Sequence, residues 1–390
     1  MKLVKLSLIA AMATGIMATA SSAAPLDEVI KDVDAGGMLR LRYTNDSQKD
    51  IDNNRVGDSN WNFKATLNLK TKIDDNFFAV AGVRYNDTDR STSLSGKDTN
   101  HAGFDLNKAY FGYAVGNTVV QFGRQDVGAF FTDDMYGDGI KILNSDIEGL
   151  TLAALWMDAL ENDGDIAVLK ALGRVNGKLV TDHNLYGVAA IGSYNPVNFQ
   201  VWYAILEDVT DLFAAEFAFS VDVNDDVNLN AKLQYAFSDF DGSFKDATVV
   251  VDDADMYGAE LGTELYGVDL TAGYVDFSTK KDKVSLISFE DNGQFIKPGE
   301  ELVNYNLLFG ENNYWFVTAG YTIPDTAVRI GADYLDGKNK FDGEKTKMKE
   351  IVGRLEYAHS DKLKFKTWYS HVKEGDEKND RVRFEAKYSF

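Results

Sequence analysis

Arg40 and Arg42 stand two residues apart, as do Arg381 and Arg383, and each pair is interleaved with apolar residues. Side chains two apart on an extended strand share a face. These guanidiniums therefore point one way, while Leu39, Leu41, Tyr43, Val382 and Phe384 point the other. Lys64 and Lys70, in WNFKATLNLKTKI, and Arg84 repeat the arrangement. Set against them is the Gly-rich stretch QDVGAFFTDDMYGDG, with Asp126, Asp133, Asp134 and Asp138 beside Phe130, Phe131 and Tyr136. Such a set suggests no covalent chemistry. Fixed cations opposed by carboxylates instead create a field across a narrow wet passage, ordering water and sorting small polar solutes.

Catalysis would draw on other residues, and few are present. The chain has no Cys and only 4 His. His101 and His183 sit in or beside long polar connections without Ser or Asp framing that reads as a triad. His359 and His371 fall near opposite ends of neighbouring antiparallel strands. The GDG and DGS segments precede no helix, so no phosphate-cradling loop is expected. The expectation is a protein that is not an enzyme.

The elements that carry these charges read as alternating strands. Gly36–Tyr43, Trp61–Ile73 and Phe77–Tyr85 open the series, and RVRFEAKYSF closes it with Val382, Phe384, Ala386, Tyr388 and Phe390 on one parity. Short turns (Asp74–Asn76, Gly116-Asn117, Ser145–Gly149, Pro196-Val197, Asn224–Asp226, Tyr266-Gly267, Pro324–Thr326, Ser360-Asp361) alternate with long polar connections. The long ones fall at Gln125–Gly139, Leu160–His183, Phe240–Asp253, Ser278–Asn313, Gly337–Thr346 and Lys373–Asp380; Asp208–Asp211 is short and fits the rhythm poorly. About eighteen strands result, an even number, as in bacterial outer-membrane barrels with short periplasmic turns. The one helix expected is a stub at Leu26–Val33. The fold class is all-β: a transmembrane antiparallel β-barrel of about 18 strands with an inward-folded third loop.

In such a barrel the greasy parity faces lipid and the charged parity a wet lumen. An Arg or Lys on the lipid face near the midplane would cost about 2–4 kcal/mol. Closure between the last strand and the first would gather Arg381, Arg383, Arg40, Arg42, Lys64 and Arg84 into one basic wall. With the third loop folded against it, Asp133, Asp134 and Asp138 complete a charged constriction.

Composition agrees. The chain has 390 residues, a formal charge of −21, 4 Pro, 33 Gly, 24 Phe and 19 Tyr. Acidity disfavours nucleic acid and suits a passage for cations. Residues 1–23 read as an export signal with Lys2 and Lys5, an apolar stretch from Leu6 to Ala20, and Ser21-Ser22-Ala23 for cleavage. That leaves 24–390 as one outer-membrane domain.

Four stretches carry a resemblance: PLDEVIKDVDAGGMLRLRY, GIKILNSDIEGLTLAALW, FIKPGEELVNYNLLFGENNYWFVTAGYTIPDTAVRIGADYLDG and RVRFEAKYSF. Together they resemble the major outer-membrane porin family of Campylobacter-type bacteria, and FGRQ at Phe122–Gln125 is similar to what general porins carry before the third loop. The resemblance implies an 18-stranded homotrimer in the bacterial outer membrane, surrounded by lipid and lipopolysaccharide, with a constricting third loop. It implies passive diffusion of ions and small hydrophilic molecules. It also implies a calcium ion on pore carboxylates, which in this chain points to Asp133 and Asp158. The expected function is a general diffusion porin with mild cation preference; a substrate-specific channel for small carboxylates or amino acids, and a loop-mediated adhesin, are the alternatives.

Overall fold

The structure is a computed structural model that describes residues 33–49, 55–92, 96–98, 103–161, 174–175, 178–224, 227–248 and 250–390. The expected export signal lies outside the described residues, as does the helical stub apart from Val33, which already belongs to the first strand.

Eighteen long strands form one antiparallel barrel. They are β1 (Val33–Lys49), β2 (Arg55–Lys72), β3 (Phe77–Thr92), β4 (Phe104–Val115), β5 (Thr118–Asp126) and β6 (Tyr136–Asn144). Next come β7 (Leu150–Leu160), β8 (Leu185–Tyr194), β9 (Val197–Leu206), β10 (Thr210–Asn224), β11 (Val227–Phe240) and β12 (Ala254–Leu265). The last are β13 (Val268–Ser278), β14 (Glu311–Thr322), β15 (Val328–Phe341), β16 (Glu344–Ala358), β17 (Leu363–Glu374) and β18 (Glu377–Ser389). Each pairs with its neighbours in sequence, and β18 returns to pair with β1 from Met38↔Ser389 to Lys49↔Lys378.

Closure reaches the last residue. Gly37 donates its N–H to the Phe390 carbonyl at 3.0 Å, and Phe390 donates back to Gly37 at 3.1 Å. A side chain at residue 37 would overlap the Thr66 carbonyl oxygen on β2 and the Phe390 ring. Gly37 is thus where two neighbouring ladders approach too closely for a Cβ.

Apolar side chains face outward on every part of the wall; Leu39, Phe111, Phe122, Val188, Phe217, Leu233, Trp315 and Leu355 are among the exposed ones. One half of the barrel is apolar on its inner face too. Ala153, Leu155, Met157, Trp202, Ala204, Leu212, Ala214, Met256 and Phe277 point inward from β7–β13 and are buried. The material that buries them comes from the long connections, including a short helix, α1 (Gly242–Thr248), whose Phe244 stacks on Phe240 at 5.5 Å.

Two expected loops are instead strand. The polar stretch Gly337–Thr346 continues the β15–β16 ladder to a two-residue turn at Asp342-Gly343, with φ of 50° and 80°. Positive φ at both central residues is what the right-handed twist of a hairpin favours, and Asp-Gly supplies it readily. Lys373–Asp380 likewise pairs up to Glu374↔Glu377. Both segments are polar because they project beyond the apolar belt; a ladder needs only paired backbone.

Replacing Gly37 with Val should weaken closure by about 1–3 kcal/mol through overpacking against backbone. A lower temperature of barrel unfolding, read as the heat-dependent gel shift of the purified protein, is the expected outcome. An unchanged transition would mean that the Gly37–Phe390 junction contributes nothing to holding the barrel closed.

Candidate functional site

The barrel closure assembles the basic wall. Arg40 lies opposite Lys64 on β2 and Lys387 on β18, Arg42 opposite Glu385, and Arg383 opposite Thr44. Arg84 on β3 lies opposite Thr66. All six cations share the inward parity, and four of them are matched by carboxylates. Arg42 binds Glu385 at 2.7 Å, Arg84 binds Glu161 at 2.8 Å, Lys64 pairs with Asp134, and Arg381 pairs with both Asp46 and Glu301. Arg40 donates to Asn62 at 3.0 Å; Arg383 donates to Thr44 at 3.1 Å and lies over the Trp368 ring at 4.9 Å.

The third loop, residues 127–135 between β5 and β6, reaches this wall. Its Asp134 meets Lys64, whose side chain is only 7% exposed. Tyr136, just after the loop, lies under the Arg84 guanidinium at 4.7 Å and donates its backbone N–H to Glu161 at 2.9 Å. Phe130 and Phe131 are fully buried. Residues rooted in β5 and β6 thus touch side chains of β2 and β3, which requires the loop to lie inside the barrel.

A second inserted loop was not expected from the sequence. Residues 279–310, the seventh of the long-end connections, pack directly on the third loop. Phe295 meets Phe130 edge-on at 4.8 Å, and Phe289 meets Phe131 at 6.2 Å. Phe289 and Gln294 donate their backbone N–H groups to the carbonyls of Phe131 (2.8 Å) and Phe130 (2.9 Å). The signal was present in Leu286, Ile287, Phe289, Phe295, Ile296, Val303 and Tyr305, all buried here and too apolar for a solvated loop.

A buried carboxylate fastens the far side of that loop. Glu350 on β16 accepts backbone N–H groups from Glu300 (2.9 Å), Glu301 (3.1 Å) and Leu302 (3.2 Å), plus the Ser370 hydroxyl (2.7 Å). Successive N–H groups turned toward one point form an anion nest. Gly299, at φ +72°, opens it: a Cβ there would overlap the Glu350 carboxylate.

Glu290 joins the two loops electrostatically. It is 1% exposed and accepts the Asp133 N–H at 2.8 Å. Burial, and then the nearby Asp134 carboxylate, push its carboxyl well above the ordinary range. Asp134 goes the other way: burial opposes its charge, but the Lys64 ammonium outweighs burial and holds the carboxyl low.

Two expected residues fall elsewhere. Asp138 pairs with Arg124 at 3.1 Å. Both sit on the outward parity, in line with exposed Ile140, Ile142 and Phe122, so Asp138 does not face the basic wall. Asp158 is exposed where β6 pairs with β7 through a bulge, whereas Asp133 belongs to the inserted loop. Among the described residues no group of three or more His, Cys, Asp or Glu could hold a metal ion. A calcium site on Asp133 and Asp158 does not fit this arrangement. The three described histidines stay apart: His183 is near Asp208 (3.8 Å), His371 binds Asp380 at 2.7 Å and His359 lies beside Tyr357; His101 is outside the described residues.

Glu290 sets a pH dependence whose sign follows from its raised carboxyl. The folded state holds a proton that the unfolded chain releases above its ordinary value of 4.5, so loop packing weakens as pH rises from there. Glu290→Gln, which keeps an acceptor for Asp133, should flatten this response. Channel noise and Tm followed from pH 5 to 9 provide the check, and equal slopes in both proteins would refute it.

Solved structures share the fold. The chain aligns with OccK5 (OpdH) of Pseudomonas aeruginosa over 92% of its length and 98% of that chain, with TM-score 0.72 and 14% identity. OccAB4 of Acinetobacter baumannii matches with TM-score 0.72 and 16% identity over 92% and 98%. A BenF-like porin from Pseudomonas fluorescens Pf-5 gives TM-score 0.74 and 15% identity over 92% and 99%. No curated protein sequence matches the chain. The family described as Campylobacter major outer membrane protein matches residues 1–390. A closed barrel with outward apolar belt and inward charge, matched along its whole length, places this chain in the Campylobacter major outer membrane protein family, as an outer-membrane porin.

Proposed function

We propose that the barrel is a general diffusion channel for ions and small hydrophilic solutes, with mild preference for cations, whose eyelet lies between the basic wall and the two inserted loops. The observation that carries this reading is the Lys64–Asp134 contact, where the third loop meets the basic wall inside the barrel. It sets opposite charges on the two sides of the passage. Arg40, Arg42, Arg84, Arg381 and Arg383 stand on one side, Asp133, Asp134 and Glu301 on the other. Because most of the wall's cations are already matched by carboxylates, the excess acidity of the chain favours cations at the mouth. Residues 1–23 act in this proposal as a cleaved export signal, and three copies assemble as in the family.

A second reading has its own support. A chamber of about 490 Å³ opens beside the seventh loop, lined by Glu260, Asp269, Lys297, Arg329, Arg354 and Lys366 among others. Arg354 there is held by Glu300 at 2.9 Å, and Lys366 lies 3.5 Å from the same carboxylate. Both signs of charge in one chamber suit a zwitterion, such as an amino acid, as well as hydrated ions.

Planar-bilayer recordings under a KCl gradient test the main reading. Wild type should pass large currents with a reversal potential on the cation side. Asp133→Ala should lower the K⁺/Cl⁻ permeability ratio by up to about fivefold, and Lys64→Gln should raise it, since one charge near the path is worth ~1 kcal/mol in water. Block by micromolar amino acid would select the second reading. Silence from folded protein would sink both.

A further inference from the structure

The long-connection end of β15–β18 carries a concentration of lysines on the outside of the barrel. Lys349 lies directly opposite Lys373, Lys373 opposite Lys378, and Lys378 opposite Lys49 on β1. Above that row, Lys338 faces Lys347 and Lys340 faces Lys345. Outward direction is fixed by the strands themselves. Met348, Glu350 and Val352 on β16, and Trp368, Ser370 and Val372 on β17, are buried inward, so Lys345, Lys347, Lys349 and Lys373 occupy the other face with exposed Ile351 and Tyr369. On β18, Lys378 shares the face of exposed Val382 and Phe384.

Like charges directly across an antiparallel pair destabilise a sheet, and five such pairings lie side by side here. Acidic neighbours answer only part of the charge: Glu311 binds Lys340 at 2.5 Å and Asp336 binds Lys349 at 2.8 Å. Lys345, Lys347, Lys373 and Lys378 are exposed and make no ion pair among the described residues. This happens in a chain whose formal charge is −21. The patch also has a defined height. Lys349 sits 6.0 Å over the Tyr334 ring, which packs on Trp315 at 5.2 Å, at the edge of the apolar belt. Long connections mark this end as extracellular.

We propose that this face binds the phosphorylated glycolipid of the outer leaflet, lipopolysaccharide, through its lipid A phosphates. The reasoning rests on the outer-membrane location and not on what passes through the channel. An occupant that lies against exposed Ile351, Tyr369 and Val382 and also meets a lysine cluster needs acyl chains below and anionic groups at the interface. Lysine stems can extend along apolar surface while their ammonium groups rise to that level. A soluble anion would gain nothing from the aromatic edge beneath.

The test compares the detergent-purified full-length barrel with its Lys345→Gln/Lys347→Gln/Lys373→Gln/Lys378→Gln variant. The probes are bis-phosphorylated lipid A, the same lipid A without phosphates, and inorganic phosphate, with bound lipid counted by native mass spectrometry. Wild type should retain bis-phosphorylated lipid A, release it as salt rises, and ignore the dephosphorylated form. The variant should bind at least about tenfold more weakly while its single-channel conductance, which also reports correct folding, stays unchanged. Should the variant fail to fold, the phosphate and salt dependence of wild type decides alone. Equal binding of the dephosphorylated lipid, or undiminished binding by the variant, overturns the proposal. So does full displacement by inorganic phosphate, which would mark a site for free anions. Lost oligomer with intact lipid binding would also overturn it, marking instead a contact between copies of the chain.

Discussion

Inside a bilayer no water is available to complete an unpaired N–H or C=O, and each orphan costs several kcal/mol. Every other feature of this molecule follows from meeting that demand with strands. A sheet in lipid can have no edge, so the first and last strands must find each other, and they do so through the reciprocal Gly37–Phe390 pairing. The same closure brings residues some 340 positions apart into one wall, as when Arg42 meets Glu385. The charged lumen is therefore a product of backbone economy before it is a device for transport.

Within the closed wall the interior is divided unequally. On the β7–β14 side, inward apolar residues and two long loops form a conventional core, with aromatic pairs such as Phe130–Phe295 and Phe277–Tyr305. On the β16–β18 and β1–β3 side the inner face mixes a few buried apolar residues, such as Val352 and Trp368, with the cations that meet the loops. Glu350 and Glu290 stand at the boundary between these regimes. Each is a buried acid that holds irregular backbone: Glu350 is tolerable as a carboxylate because three N–H groups and a hydroxyl surround it, whereas Glu290, with one N–H donor, is tolerable because it keeps its proton. The path for solutes is defined less by the barrel's girth than by where this internal packing stops.

The sequence made the wall legible because parity is a strict rule: shifting by one residue would put Arg40 or Arg383 into lipid. It made the third loop legible because Phe130 and Phe131 had no other place to go. Asp138 reads as part of the loop, yet it stands on a strand and shares the outward parity of Ile140 and Ile142, so the same rule removes it from the wall. The seventh loop obeyed the same logic as the third, yet its apolar residues are scattered through a stretch with strand-like runs of its own. The Asp342-Gly343 turn was visible as a dipeptide, but its polar flanks resembled a loop because strands standing in water need no greasy face. Glu290 and Glu161 became functional candidates only through contacts with residues far away in the chain, Asp133 at 157 positions and Arg84 at 77, which no local pattern encodes.

The aromatic lock between the two inserted loops also has a history in time. Phe130 and Phe131 leave the ribosome, and then cross the inner membrane, about 160 residues ahead of Phe289 and Phe295. During that interval they are bulky hydrocarbon on a segment that will never face lipid and has nothing yet to bury it. Contacts so distant in sequence form late because the entropy of closing the intervening chain must be met first. Until the second pair arrives, the chain carries the first as unburied hydrocarbon in water, and the order of synthesis makes the aromatic lock one of the last contacts to close.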